Sequence, residues 1–177
     1  MAKTVWFDMD GTLYDLYNIP DWLERLLSED APVFYDGRPM YDPYRINKAI
    51  KALVAHGWDV GVVTWAPKDV EKDSPFFAEV AYQKLCWIRQ YYPELAHNFH
   101  CIPYGDSKRN YVYETRVRTS LIGGTQVLVD DNRMVRDDWE IVSNWFTIDA
   151  THDYCKELEG LVMEDGTIQA LHGKCVR

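Results

Sequence analysis

Asp8 and Asp10 stand two residues apart in the segment Phe7-Asp8-Met9-Asp10-Gly11-Thr12, directly after the apolar run Val5-Trp6-Phe7. Thr64 closes a second run, Val60-Gly61-Val62-Val63, and Asp130-Asp131 closes a third, Val127-Leu128-Val129, with Lys108 in the polar stretch between them. Each run is apolar to its last residue and then abruptly acidic or hydroxylated, a pattern that packing does not explain. The chemistry that fits such a set is phosphoryl transfer through a covalent aspartyl phosphate. A carboxylate attacking a phosphate needs a cation to screen the repulsion. Mg²⁺, a hard ion, takes oxygen ligands. Asp8 is therefore the candidate nucleophile, and Asp8 and Asp130 are candidate metal ligands. Asp10 is placed to protonate the leaving oxygen as general acid/base. Thr64 is suited to hydrogen-bond a phosphate oxygen, and Lys108 to neutralise charge in the transition state, with Lys84 and Arg109 as competitors for that position.

The elements that must position these residues follow from an alternation of short apolar runs with helical patterns, the signature of βαβ units around a parallel sheet. Val5–Phe7, Val60–Val63, Phe99–Ile102, Val127–Val129 and Trp145–Ile148 are five strand candidates. Asp42-Pro43 opens a helix that carries Ile46, Ala49, Ile50, Leu53 and Val54 at helical spacing and closes at His56-Gly57. Ser74-Pro75 opens a longer one, with Phe77, Val80, Ala81, Lys84, Ile88 and Tyr91 near one face and Pro93 as its stop. Asn132 to about Val142 and Tyr154 to Met163 are further helices. The stretch at about 15–41 breaks the alternation: a small helix, Pro20 to Leu27, precedes a turn-rich segment with Pro32, Gly37 and Pro39. The expectation is one α/β domain over residues 1–177, a Rossmann-like three-layer sandwich with a parallel sheet of about five strands. The insertion would lie beside the C-terminal end of the first strand, where open α/β sheets bind ligands.

In these motifs the chain resembles the haloacid dehalogenase superfamily, whose signature is Asp-x-Asp-Gly-Thr after a strand, followed by a strand-terminal Thr or Ser, a Lys, and a strand-terminal acidic pair. Asp8/Asp10, Thr64, Lys108 and Asp130/Asp131 match in that order, within residues 4 to 131. The resemblance implies a magnesium phosphatase or phosphomutase, because superfamily members of those classes carry an acid at the position of Asp10. It further implies that Asp10 offers its backbone carbonyl to Mg²⁺ and that Asp131 acts from the second shell; Asp131 as the cap of the next helix is the other reading. Trp65 departs from the commoner small or polar residue after the threonine, and either faces a ring-bearing substrate or packs. The short insertion implies a minimal cap and a fairly open site, as in the 3′-phosphatase domains of polynucleotide kinases and small magnesium-dependent phosphatases. The expected partner is a phosphorylated small molecule or nucleic-acid end, with a nucleotide or nucleic-acid-end phosphate favoured and a sugar phosphate or phosphoprotein as the alternative.

Composition narrows the rest. The chain has 177 residues, 47% hydrophobic and 27% charged, the profile of a soluble globular protein able to bury a core without staples. Its net charge of −9 argues against an extended nucleic-acid surface or an anionic membrane as partner. No apolar run reaches the roughly 18 residues of a membrane span, and the start of the chain lacks a signal-peptide pattern. Cys86, Cys101, Cys155 and Cys175 form no Cys-x-x-Cys pair and read as reduced thiols of a cytoplasmic protein. His97, His100 and Cys101 do not match a structural zinc spacing. No Gly-x-x-x-x-Gly-Lys-[Ser/Thr] loop is present. A phosphoaspartate receiver module is disfavoured by order, since the acidic pair comes last. A catalytically silent binding protein on the same fold is the reading of another class.

Overall fold

The computed structural model describes residues 3–118 and 124–163, with the backbone alone at 116–118 and 163. Five strands, β1 (Lys3–Phe7), β2 (Trp58–Trp65), β3 (Phe99–Ile102), β4 (Thr125–Asp130) and β5 (Trp145–Asp149), form one parallel sheet in the order β3-β2-β1-β4-β5. Parallel strands covered on both faces are apolar on both faces, and β1, β2 and β4 read that way. Val5, Phe7, Val60, Val62, Val127 and Val129 point to one core, while Trp6, Val63 and Leu128 point to a second. Between them Trp6 donates its indole N–H to the Gln126 side chain at 2.9 Å, which satisfies two buried polar groups at once. The α/β, Rossmann-like architecture expected from the alternation is the one observed.

Helices α3 (Pro43–Ala55), α4 (Pro75–Tyr91) and α7 (Cys155–Met163) cover the first face, and α5 (Lys108–Arg118) and α6 (Arg133–Trp139) the second. Their starts are chemically specified. Asp42 accepts from the Tyr44 N–H ahead of α3, Ser74 from Phe77 ahead of α4, and Asn132 from Met134 ahead of α6. Asn132 is thus the cap of α6, which leaves the Asp131 carboxylate free for other work. Helix α6 ends at Trp139, short of the expected Val142, because Glu140 to Asn144 turn into β5 and Asn144 takes a positive φ of 68°.

The insertion holds more structure than its turn residues suggested. After a 3₁₀ turn at Leu16–Asn18 come α1 (Trp22–Leu27) and a one-turn helix, α2 (Val33–Asp36). Leu13, Tyr14, Leu16, Val33 and Phe34 are buried in the first core. The Tyr14 hydroxyl donates to the Val33 carbonyl and accepts from the Gly37 N–H, and the Trp87 indole of α4 donates to the Gly37 carbonyl at 3.0 Å. Tyr14 and Trp87 meet edge to face at 4.9 Å. Gly37 is required there, since a Cβ would stand 2.5 Å from the Tyr14 ring. Of the cysteines, Cys86, Cys101 and Cys155 carry free thiols, and Cys175 lies outside the described residues. No helix among the described residues is long and apolar enough to cross a membrane.

Candidate active site

Register aligns the strand ends. Phe7 pairs with both Val62 and Val129, so Asp8 and Asp130 emerge level with each other and Thr64 one residue beyond Val63. After Asp8 the chain folds back at once: the Met9 carbonyl accepts from the N–H groups of Thr12, Leu13 and Tyr14, and Gly11 takes φ +81°. That turn keeps the backbone low beside the acidic pair, because a Cβ on Gly11 would meet Asp131 Oδ2 at 2.6 Å.

Lys108, in the first turn of α5 and only 2% exposed, joins the two central carboxylates. Its Nζ donates to Asp8 Oδ1 at 2.6 Å and to Asp130 Oδ2 at 2.8 Å. The other Asp130 oxygen accepts from the Asn132 N–H at 2.8 Å, and Arg136 holds the Asp130 carbonyl while pairing with Asp149 at 2.9 Å. Asp8, Asp130 and Asp131 each offer a carboxylate oxygen within 4.8 Å of the others. Burial raises the Asp131 carboxyl to about 7, with the Asp8 and Asp130 charges adding to it. Burial likewise raises Asp130 to about 6, against the opposing pull of Lys108. Lys108 is held above its ordinary range because its two carboxylates outweigh the cost of burying it.

Asp10 belongs to a second network. Its Oδ2 accepts from Nζ of Lys84, a residue of α4 with no solvent exposure. The same Nζ donates to Thr64 Oγ1 at 3.1 Å and to the Trp65 carbonyl at 2.8 Å, and stands 4.5 Å from the centre of the Phe34 ring. Asp10 Oδ1 has no partner among the described residues. Burial raises the Asp10 carboxyl, Lys84 partly offsets that, and the Asp8 charge reinforces it, so a proton is held there more readily than on a free aspartate.

Asp8, Asp10, Lys108, Asp130 and Asp131 line a cavity of about 500 Å³, while Thr64 and Lys84 are fully buried behind it. The insertion supplies one wall, with Leu16, Tyr17, Trp22, Leu23, Leu26 and Leu27. Trp65, Pro67, Val70, Phe76 and Tyr104 supply other parts of the lining. Trp65 is fixed by donation to the Asp106 carbonyl at 2.9 Å and by contact with Tyr104 at 5.1 Å; its ring lies 5.0 Å from the Lys108 Nζ. It therefore both packs and lines the cavity.

No family model and no curated protein matches the chain. Among solved structures, a protein of Burkholderia xenovorans LB400, provisionally described as a haloacid dehalogenase-like hydrolase, has a TM-score of 0.47 and 13% identity, over 88% of this chain and 85% of that one. A likeness at that level carries no weight beside the strand order and side-chain geometry already given.

All the residues singled out in the sequence, namely Asp8, Asp10, Thr64, Trp65, Lys108, Asp130 and Asp131, meet at one edge of the sheet. Two features escaped it. One is the place of Lys84, which pairs with Asp10 while Lys108 joins Asp8 and Asp130. The signal was a lysine inside the apolar stripe of α4. The second is the aromatic and aliphatic wall from the insertion, whose residues are too irregularly spaced to announce a shared face.

Proposed function

We propose that the protein is a magnesium-dependent phosphomonoester hydrolase of the haloacid dehalogenase type, working through a phosphorylated Asp8. The observation that carries this reading is the division of the carboxylates: Asp8, Asp130 and Asp131 gathered around Lys108, and Asp10 set apart on Lys84. Four carboxylates against two lysines leave an excess of negative charge; burial raises the Asp130 and Asp131 carboxyls, and the Asp8 charge adds to it. An all-oxygen donor set of that charge suits a hard divalent cation. Asp8, Asp130 and Asp131 would hold it, and bound Mg²⁺ would screen the phosphate charge from the attacking carboxylate.

The chain's own residues account for the rest. Asp8 attacks phosphorus, held in place by Lys108, which also offsets charge on the transferring group. Asp10 gives a proton to the leaving oxygen and later accepts one from the water that hydrolyses the acyl phosphate. Trp65 places the organic part of the substrate, and Thr64 supports the site from behind through Lys84.

The cavity supports a small substrate with one phosphate and a ring-bearing leaving group, for which a nucleoside monophosphate is the proposed case. Its lining is rich in aromatic and aliphatic side chains, and Lys68 is the only cation lining it besides Lys108 among the described residues. A nucleic-acid end would bring further phosphates that such a lining does not neutralise. The free thiols of Cys86, Cys101 and Cys155 suit a reducing compartment, and the cytoplasm is the proposed setting. The test is phosphate release with and without Mg²⁺ from 5′- and 3′-nucleotides, 3′-phosphorylated oligonucleotides, sugar phosphates and phosphotyrosine, with Asp8→Asn as control. Release from none of them rejects the hydrolase; fastest release from oligonucleotides or sugar phosphates rejects the substrate class.

A further inference from the structure

Lys84 sits in α4 among buried Phe77, Val80, Trp87 and Ile88, on a face that packing alone would make wholly apolar. Burying an ammonium costs several kcal/mol that an aliphatic side chain of similar volume avoids, so its presence calls for a role outside stability. An ammonium has three protons to donate. Here three acceptors surround it: Asp10 Oδ2, Thr64 Oγ1 and the Trp65 carbonyl. One side chain thereby ties the end of β1 to the end of β2. Asp10 lines the cavity with its Oδ2 held by Lys84, while its Oδ1 is buried and unpartnered among the described residues.

We propose that Lys84 is a positioning residue that fixes the acid Asp10 through Oδ2 and ties it to the end of β2. This rests on the phosphohydrolase reading above. In the first half-reaction the Asp10 proton passes to the ester oxygen as its bond to phosphorus breaks and the bond from Asp8 to phosphorus forms. In the second, a water oxygen bonds to phosphorus, the Asp8–phosphorus bond breaks, and the water proton returns to Asp10. Lys84 gives up no proton in either step and touches no substrate. The same three bonds hold Thr64, which is buried behind the cavity lining.

The experiment compares two leaving groups in two backgrounds. An alkyl phosphate needs its leaving oxygen protonated, whereas 4-nitrophenyl phosphate, which expels a stable phenolate, does not. Lys84→Met is expected to lower kcat on the alkyl ester by about 100-fold or more, the range of general-acid catalysis, and on the nitrophenyl ester by less than about tenfold. In an Asp10→Asn background, Lys84→Met should add less than about threefold on the alkyl ester, because both changes disable one device. Equal losses on the two esters, or the same factor in both backgrounds, overturn the proposal. Lys84→Gln, which keeps a donor, serves alongside, and thermal unfolding is measured for each variant; collapse of both folds makes Lys84 structural and also overturns it. A wild-type protein inactive on both esters sinks the hydrolase reading itself, and this proposal with it, whereas uniform losses in an active enzyme sink the positioning role alone.

Discussion

Metal binding should be steeply dependent on pH between 6 and 8, and the size of the effect follows from the acidic cluster. Asp131 is raised to about 7 and Asp130 to about 6 by burial and by mutual repulsion with Asp8. Both must be ionised to ligate a cation, so binding at lower pH has protons to displace. Treating the two as separate sites, Asp131 goes from about one-tenth protonated at pH 8 to about nine-tenths at pH 6, a roughly tenfold loss of apparent affinity. Asp130 is half protonated at pH 6 and adds roughly a further factor of two. Mg²⁺ should therefore bind about 20-fold more weakly at pH 6 than at pH 8, with proton release on binding near pH 6.5. The sign for the metal-free protein is opposite. Raised carboxyls mean that the folded state holds more protons than the unfolded chain, so metal-free stability falls as pH rises from about 4 to 7. Saturating Mg²⁺ removes that decline by binding only the folded form. Calorimetric titration in two buffers of different ionisation enthalpy measures affinity and proton release together. Affinity that is flat from pH 6 to 8, with no proton released, refutes the account of the acidic cluster.

Three further outcomes are expected. Lys108→Met leaves Asp8 and Asp130 without their shared cation; kcat should fall by about 10²-fold or more, and the metal-free variant should lose about 3 kcal/mol of stability by denaturant unfolding, the cost of stranding a buried partner. Gly37→Ala drives a methyl into the Tyr14 ring, which should cost about 1–3 kcal/mol and lower the thermal midpoint. Trp65→Ala removes a cavity ring and should cut the preference for a nucleoside monophosphate over ribose 5-phosphate, in kcat/KM, by about tenfold.

Much of the fold was legible because its signals are local. Val5–Phe7, Val60–Val63 and Val127–Val129 are apolar on both faces, as buried parallel strands must be, and Asp42-Pro43 and Ser74-Pro75 mark helix starts through hydrogen bonds that reach only two or three residues. The acidic and hydroxyl residues were visible because each follows such a strand directly. Lys84 was harder to read, since its meaning depends on Asp10, 74 residues away, and on Thr64 and Trp65 in another strand. Likewise α2 is a single turn whose stability comes from Tyr14, Trp87 and the first core, with no periodicity of its own to read.

Helix α4 joins two devices that are usually discussed apart. Through Trp87 it grips the insertion at Gly37, through Lys84 it grips Asp10, and Phe34 of the insertion lies against that same lysine. The cavity wall and the candidate acid Asp10 thus share one mounting. Substrate range in such a molecule is not a detachable module. A graft that exchanged the insertion for a longer one would have to bring matching partners for Tyr14, Trp87 and Lys84. Without them, a change meant only for recognition would also retune the rate of ester cleavage.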